Sequence, residues 1–156
     1  MKNKTKPLIA VTPGDITGVG PEILAKVIIE RPPDNCRLLL VGDEQVLRSS
    51  FGALGARFSL PVFRTVEEAV KSEARVVVLD LAQGGKELLA LARPHPQAGE
   101  LALGALVKAC QLAMNNRVDG VVYGPLVKEA MYFGGRKYND EVEILRERLQ
   151  APRLKA

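Results

Sequence analysis

Tryptophan is absent from this 156-residue chain, and aromatic residues together make up only 4% of it, so any core must be packed from Leu, Val, Ile and Ala. Such aliphatic packing is usual where parallel strands are buried on both faces. There is one histidine, His95, held between Pro94 and Pro96. A single imidazole in a turn does not make a metal site, which needs several converging ligands. The two cysteines, Cys36 and Cys110, lie far apart in apolar segments and show no metal or redox spacing. They read as buried free thiols of a reducing cytoplasm. No apolar run is long enough to span a bilayer, and Pro13-Gly14 ends the short run Leu8–Val11 before it could serve as a signal peptide. The expectation is a cytoplasmic protein without a membrane partner.

Charge excludes little more. Lys and Arg exceed Asp and Glu by 22 to 18, a net +4, but the basic residues are spread along the chain rather than clustered. That leaves no nucleic-acid footprint. It is compatible with an anionic small molecule and equally with a solvated basic surface. Neither G-x-G-x-x-G nor a G-K-[ST] phosphate loop is present.

The remaining pattern is a regular alternation of strands and helices. Pro7–Thr12, Cys36–Val41, Arg75–Leu79 and Val118–Tyr123 are short, apolar and closed by turn residues, which predicts strands. Phe58–Phe63 is a further short strand, weakened by Pro61. Helical spacing covers Pro21–Glu30, Glu44–Phe51, Val66–Ser72, Glu87–Ala92, Ala98–Asn115, Val127–Phe133 and Asn139–Leu149. The order predicts an α/β fold, a mostly parallel sheet with helices on both faces. Such sheets bind ligands beyond the C-terminal ends of their strands. The loops after Thr12, Val41, Leu79 and Tyr123 are therefore the places to look.

The first of these loops, Thr12-Pro13-Gly14-Asp15-Ile16-Thr17-Gly18-Val19-Gly20-Pro21-Glu22, joins a strand to a helix and carries three glycines. Glycine permits close backbone approach, and free N–H groups at a helix start can hold an anion. A tight βα turn explains the same residues without a ligand. Asp15 suits an Asx turn that orients the loop. Glu22 is explained by the dipole of the first helical turn, with a role in binding as the other reading. Lys128 follows the strand-end pair Gly124-Pro125; it is either a substrate-binding or proton-shuttling lysine or a solvated one. Asp140, Glu141 and Glu143 form an acidic group, and the spacing of Asp140 and Glu143 is that of a helix cap.

The run Thr12–Ile23, T-P-G-D-x-x-G-x-G-P-E-I, closely resembles the N-terminal signature of the 4-hydroxythreonine-4-phosphate dehydrogenases. The likeness continues in order through Val41-Gly42-Asp43, Gln97-Ala98-Gly99 and Asp119-Gly120-Val121-Val122-Tyr123-Gly124-Pro125-Leu126-Val127-Lys128-Glu129. It implies part of a two-domain fold like that of isocitrate and isopropylmalate dehydrogenases, with residues 1–125 as an N-terminal α/β domain and 126–156 opening a second. It also implies a homodimer that oxidises a phosphorylated hydroxy acid with NAD, followed by decarboxylation. A divalent metal on histidine ligands would polarise the hydroxyl and carboxylate. Site residues carried over are Lys128 as catalytic, and Asp15, Gly18, Gly20, Glu22, Glu141 and Val142 as substrate-binding.

Two departures qualify the likeness. Where the family carries a substrate-contacting His-Thr pair, this chain has Glu141-Val142. An ionised carboxylate donates no hydrogen bond and Val has no hydroxyl. The family's metal-binding histidines and most of its nucleotide and phosphate contacts also lie beyond the segment resembled here. The leading expectation is therefore one half of a dehydrogenase cleft that does not turn over alone. The alternative is a non-catalytic module that binds an anionic metabolite or pairs with a longer relative. A strand edge and an apolar face are expected to be open, leading to self-association.

Overall fold

The computed structural model describes residues 6–90, 93–127 and 140–152. Five strands form one sheet: β1 (Leu8–Thr12), β2 (Arg37–Gly42), β3 (Val62–Phe63), β4 (Val76–Asp80) and β5 (Gly120–Tyr123). Their order is β3-β4-β2-β1-β5 and every pairing is parallel. Between them run α1 (Gly20–Glu30), α2 (Glu44–Ala53), α3 (Val66–Lys71), α4 (Lys86–Leu89) and α5 (Pro96–Met114); α6 (Glu141–Arg148) follows β5.

Side chains alternate across the pleat and so fill two separate cores. Leu39, Val41, Val77 and Leu79 face α5 and α3, packing with Ala109, Leu112 and Ala69. Leu38, Leu40, Val76 and Val78 face α1 and α2, packing with Leu24, Ala25, Ile28, Leu47 and Phe51. β2 and β4 are thus buried on both sides, which is why their sequences are continuous apolar runs instead of alternating ones. Each fully buried Leu or Val contributes about 1.5–3 kcal/mol over its exposed state.

The chain reverses its march across the sheet. From β1 it steps through α1 to β2; from β4 it returns through α5, past β2 and β1, to β5. Parallel crossovers are right-handed, so the two directions put α1 and α5 on opposite faces. Adjacent β1 and β5 therefore flank the switch point where ligands bind in such sheets.

Several boundaries move for local reasons. The strand expected over 58–63 is reduced to Val62–Phe63: β3 is an edge strand, and Pro61 joins the ladder only by accepting Val78 N–H at 2.9 Å. The last strand starts at Gly120, two residues late. Asp119 turns its side chain into the ladder instead, Oδ2 accepting Leu8 N–H at 2.8 Å. His95, expected as an exposed turn residue, is half-buried and caps α5, its Nδ1 accepting Gln97 N–H at 3.2 Å. α5 consequently begins at Pro96 and not at Ala98. Cys36 and Cys110 are free but only half-buried, which corrects the expectation of buried thiols. The helix expected over 127–133 falls almost wholly outside the described residues. Asp140 does cap α6, accepting Glu143 N–H at 2.8 Å. α6 rests on α5 through Ile144 and Leu103. Among the described residues no helix is long and apolar enough to cross a membrane.

The central strand gives a direct test. Leu39 is 0% exposed, so Leu39→Ala should cost about 2–5 kcal/mol. Urea unfolding should show a lower midpoint at unchanged slope.

Candidate functional site

The C-terminal ends of β1 and β5 are locked together backbone to backbone. Thr12 and Tyr123 are partners in register. Beyond them Gly124 N–H donates to Thr12 O at 2.9 Å, and Asp15 N–H donates to Pro125 O at 2.9 Å. The loops are in such close contact that three positions admit only glycine. A Cβ on Gly20 would lie 1.9 Å from the Pro13 carbonyl oxygen, and one on Gly124 would lie 2.2 Å from the same atom. Gly14 has φ +76°, and its Cβ would be 2.3 Å from Pro125 O. Gly18 is different: a Cβ there would meet Asp15 O at an ordinary 3.5 Å. The steric demand therefore falls on Gly14, Gly20 and Gly124.

Asp15 sits inside this junction, 1% exposed. Its Oδ1 accepts both Thr17 N–H (2.8 Å) and Thr17 Oγ1–H (2.7 Å), the Asx turn expected from sequence. Its Oδ2 is buried without a hydrogen-bond partner, as is the Oγ1 of Thr12. Unsatisfied buried oxygens are rare in native interiors. Gly18 is exposed and Gly20 buried at the start of α1, whose N-cap Val19 provides no side-chain cap. Glu22 is exposed in the first turn. It borders a depression of about 310 Å³ with Thr17, Gly18, Pro21, Ser49 and Ser50.

Two further aspartates end strands, and both are used up by structure. Asp43 Oδ1 caps α2 through Gln45 N–H (2.8 Å) and Val46 N–H (3.3 Å), while Oδ2 accepts Gly85 N–H at 3.2 Å. Asp80 Oδ1 accepts Glu44 N–H and Ala82 N–H, both at 3.0 Å, and Oδ2 lies 3.5 Å from Arg64 Nε. Asp80 was not singled out from sequence; its signal was an Asp closing an apolar run, as at Asp15 and Asp43.

Glu141 and Val142 are half-buried in the first turn of α6. Glu141 Oε1 accepts the phenol O–H of Tyr123 at 3.1 Å, which brings α6 to the end of β5 beside the glycine loop. Sequence reasoning missed Tyr123 as a site residue, since only the fold brings it to Glu141. Burial, and then this hydrogen bond, raise the Tyr123 phenol above its ordinary value. Lys128 lies outside the described residues.

The described residues do not fit the metal that the sequence likeness implies. Among them no three His, Cys, Asp or Glu side chains converge, and the ring of His95 is engaged as a cap. Nor does the glycine loop have dinucleotide-fingerprint spacing.

Residues 34–155 match the family model described as "Pyridoxal phosphate biosynthetic protein PdxA". The chain belongs to the PdxA family. Among its relatives, a 4-hydroxythreonine-4-phosphate dehydrogenase of Beijerinckia indica is 36% identical over 139 residues, covering 89% of this chain and 41% of the relative. A D-threonate 4-phosphate dehydrogenase of Bordetella bronchiseptica is 34% identical over 144 residues, covering 89% and 40%. Among solved structures, a 4-hydroxythreonine-4-phosphate dehydrogenase from Burkholderia phymatum superposes with TM-score 0.79 at 28% identity, covering 92% of this chain and 44% of that one. The chain thus spans about two-fifths of the length of these PdxA relatives. The parallel α/β fold expected from sequence is that of the PdxA structures.

Two measurements probe this site. Gly20→Ala and Gly124→Ala should each cost at least about 2 kcal/mol, because the obstructing atom is a backbone oxygen that cannot rotate away. Gly18→Ala should stay within about 0.5 kcal/mol of the parent in the same thermal unfolding assay. Removing the carboxylate by Glu141→Gln should lower the phenol pKa of Tyr123 toward its ordinary value. Ultraviolet titration in a background with Tyr132 and Tyr138 changed to Phe would read this shift, and an unmoved titration would disprove the pairing.

Proposed function

We propose that this chain forms one wall of the cleft of an NAD-dependent, metal-assisted dehydrogenase acting on a phosphorylated hydroxy acid such as 4-phosphohydroxy-threonine. The observation that carries this reading is the interlocked glycine loop at the β1/β5 switch point, with a buried Asp15 oxygen left unpartnered. The names of the relatives supply the substrate class. NAD, bound by the rest of the cleft, would supply the hydride acceptor for oxidation of the secondary alcohol, whose proton would pass to a base. The β-keto acid so formed would then lose carbon dioxide.

Within this reading the chain's own residues bind and orient. Asp15 fixes the loop through Thr17, and its carbonyl oxygen accepts the Gly18 N–H, so that Gly18 and Gly20 bring the start of α1 to the substrate. Glu22 borders the same rim, and Lys128 is the candidate proton-transfer residue. The second domain begins after Pro125, with Glu141 and Val142 at its edge. The metal ligands and the nucleotide contacts come from polypeptide that corresponds to the rest of the relatives' length. The working protein is a cytoplasmic homo-oligomer. The second reading, a non-catalytic module that binds an anionic metabolite or pairs with a longer relative, draws on Glu141, whose carboxylate is tied to Tyr123.

The chain alone, given NAD, a divalent metal and 4-phosphohydroxy-threonine, should produce no NADH; brisk turnover would show that no second wall is needed. Titration with the same acid at millimolar concentration should move backbone amide resonances within residues 14–22. Shifts confined elsewhere, or none, would remove the loop from the substrate site.

A further inference from the structure

A half-buried carboxylate stands at the end of β5 with only one of its oxygens engaged. Glu141 opens α6, and its Oε1 accepts the Tyr123 phenol O–H at 3.1 Å. The other oxygen, Oε2, has no partner among the described residues, and no Lys or Arg among them pairs with it. Three contacts fix its place. Asp140 caps α6 through Glu143 N–H, Ile144 of α6 packs against Leu103 of α5, and Tyr123 is the register partner of Thr12. The residue after Tyr123 is Gly124, which belongs to the junction with Pro13. The carboxylate therefore lies at the mouth that β1 and β5 share, and not on a remote helix surface.

Its surroundings leave the charge uncompensated. The segments 12–22 and 120–125 carry Asp15 and Glu22 but no Lys or Arg. Asp140 and Glu143 add negative charge within the same turn of α6. A carboxylate that served only to fasten α6 by an ion pair would have its cation within the chain. The partner of Glu141 is instead a phenol, which orients the carboxylate without neutralising it. A second anion brought here meets like charge. A cation meets an acceptor already held in place and partly desolvated, where charge-assisted hydrogen bonds are the strong ones.

We propose that Glu141 is a specificity-determining residue of this wall, its Oε2 accepting a cationic substituent of the substrate, the ammonium of an amino acid. The assignment rests on the cleft reading above. It separates two acids that are otherwise alike. 4-Phosphohydroxy-threonine carries an ammonium on the carbon beside its carboxylate, whereas the phosphothreonate of the same skeleton and configuration carries a hydroxyl there. Both can donate a hydrogen bond, but only the first brings a positive charge. Tyr123 is then a positioning residue, holding Oε1 so that Oε2 is left to the ligand. The start of α1 offers the opposite pole, since a helix N-terminus favours an anionic group.

Calorimetric titration of the whole chain with each acid near neutral pH tests it. The parent should bind the ammonium-bearing acid about tenfold more tightly than the hydroxy acid, as expected of a hydrogen bond to a charged group. Glu141→Gln keeps an acceptor for Tyr123 and removes the charge, so it should bind both acids equally. Tyr123→Phe removes the tie and keeps the charge, so it should retain most of the preference. A carboxylate that only tied α6 to β5 would give the reverse pattern, with Tyr123→Phe impaired and Glu141→Gln not. Circular dichroism should show the fold intact in both variants. Equal affinities in the parent, or a preference that survives Glu141→Gln, would overturn the assignment and leave the cleft reading standing. Binding of neither acid, or binding that moves no amide resonance within residues 14–22, would remove the cleft reading and this assignment with it.

Discussion

The carbonyl oxygen of Pro13 has a glycine on either side of it, Gly20 from the start of α1 and Gly124 from the end of β5, each too close to tolerate a Cβ. This contact sets the geometry of everything around it. It brings the first helical turn against the strand that precedes it. It also fixes β5 to β1 at the end where both strands stop, reinforced by Gly124 N–H to Thr12 O and Asp15 N–H to Pro125 O. Sequence-distant loops rarely hold each other to within a fraction of an ångström through apolar side chains, whose rotamers yield. Backbone against backbone does not yield. A mouth built in this way keeps its shape whatever the surface residues do.

The three aspartates that end β1, β2 and β4 show how similar local sequences come to differ in meaning. Asp43 and Asp80 spend both oxygens on the neighbouring loops, pulling the starts of α2 and α4 toward each other. They are braces in which every carboxylate oxygen has a partner. Asp15 uses one oxygen for its own turn and leaves the other buried and unpaired. A desolvated carboxylate oxygen without a donor is costly, by about 1–3 kcal/mol or more. Costs of this kind collect where function requires them. Of the three strand ends, only that of β1 is incomplete by itself.

How much of this was legible in the sequence follows from the range of each interaction. Strands β1, β2 and β4 and helices α1, α2 and α5 were readable because periodicity and turn residues are local. The Asx turn at Asp15 and the cap at Asp140 were readable for the same reason, each closing within a few residues. Strand order was not, since nothing near β5 says that it pairs with β1 instead of β4. Gly18 was placed among the binding residues beside Gly20 on equal terms, yet only Gly20 is sterically required. The distinguishing partner, Pro13 O, is set by how the loop folds back. Tyr123 and Glu141 are 18 residues apart, and neither carries a sign of the other. The likeness to the PdxA family located Glu141 as a position of interest but could not supply its partner.

Burial is distributed unevenly across the sheet. β2 and β4 have every residue from Leu38 to Gly42 and from Val76 to Asp80 buried, with helices on both faces. β5, at the other side, is half-buried at best and ends in two exposed residues. A sheet organised in this way needs no help at its β2–β4 centre to fold. Its less covered part is the β1–β5 side, where the glycine junction and the exposed flank of α1 meet. The same strand pair thus carries both the glycine junction and the less covered side of the sheet. Because β5 is held to β1 by the Pro13 junction, a contact made along that edge bears on the strand that shapes the mouth. The junction and this side of the sheet therefore meet on one short strand, which has only four residues.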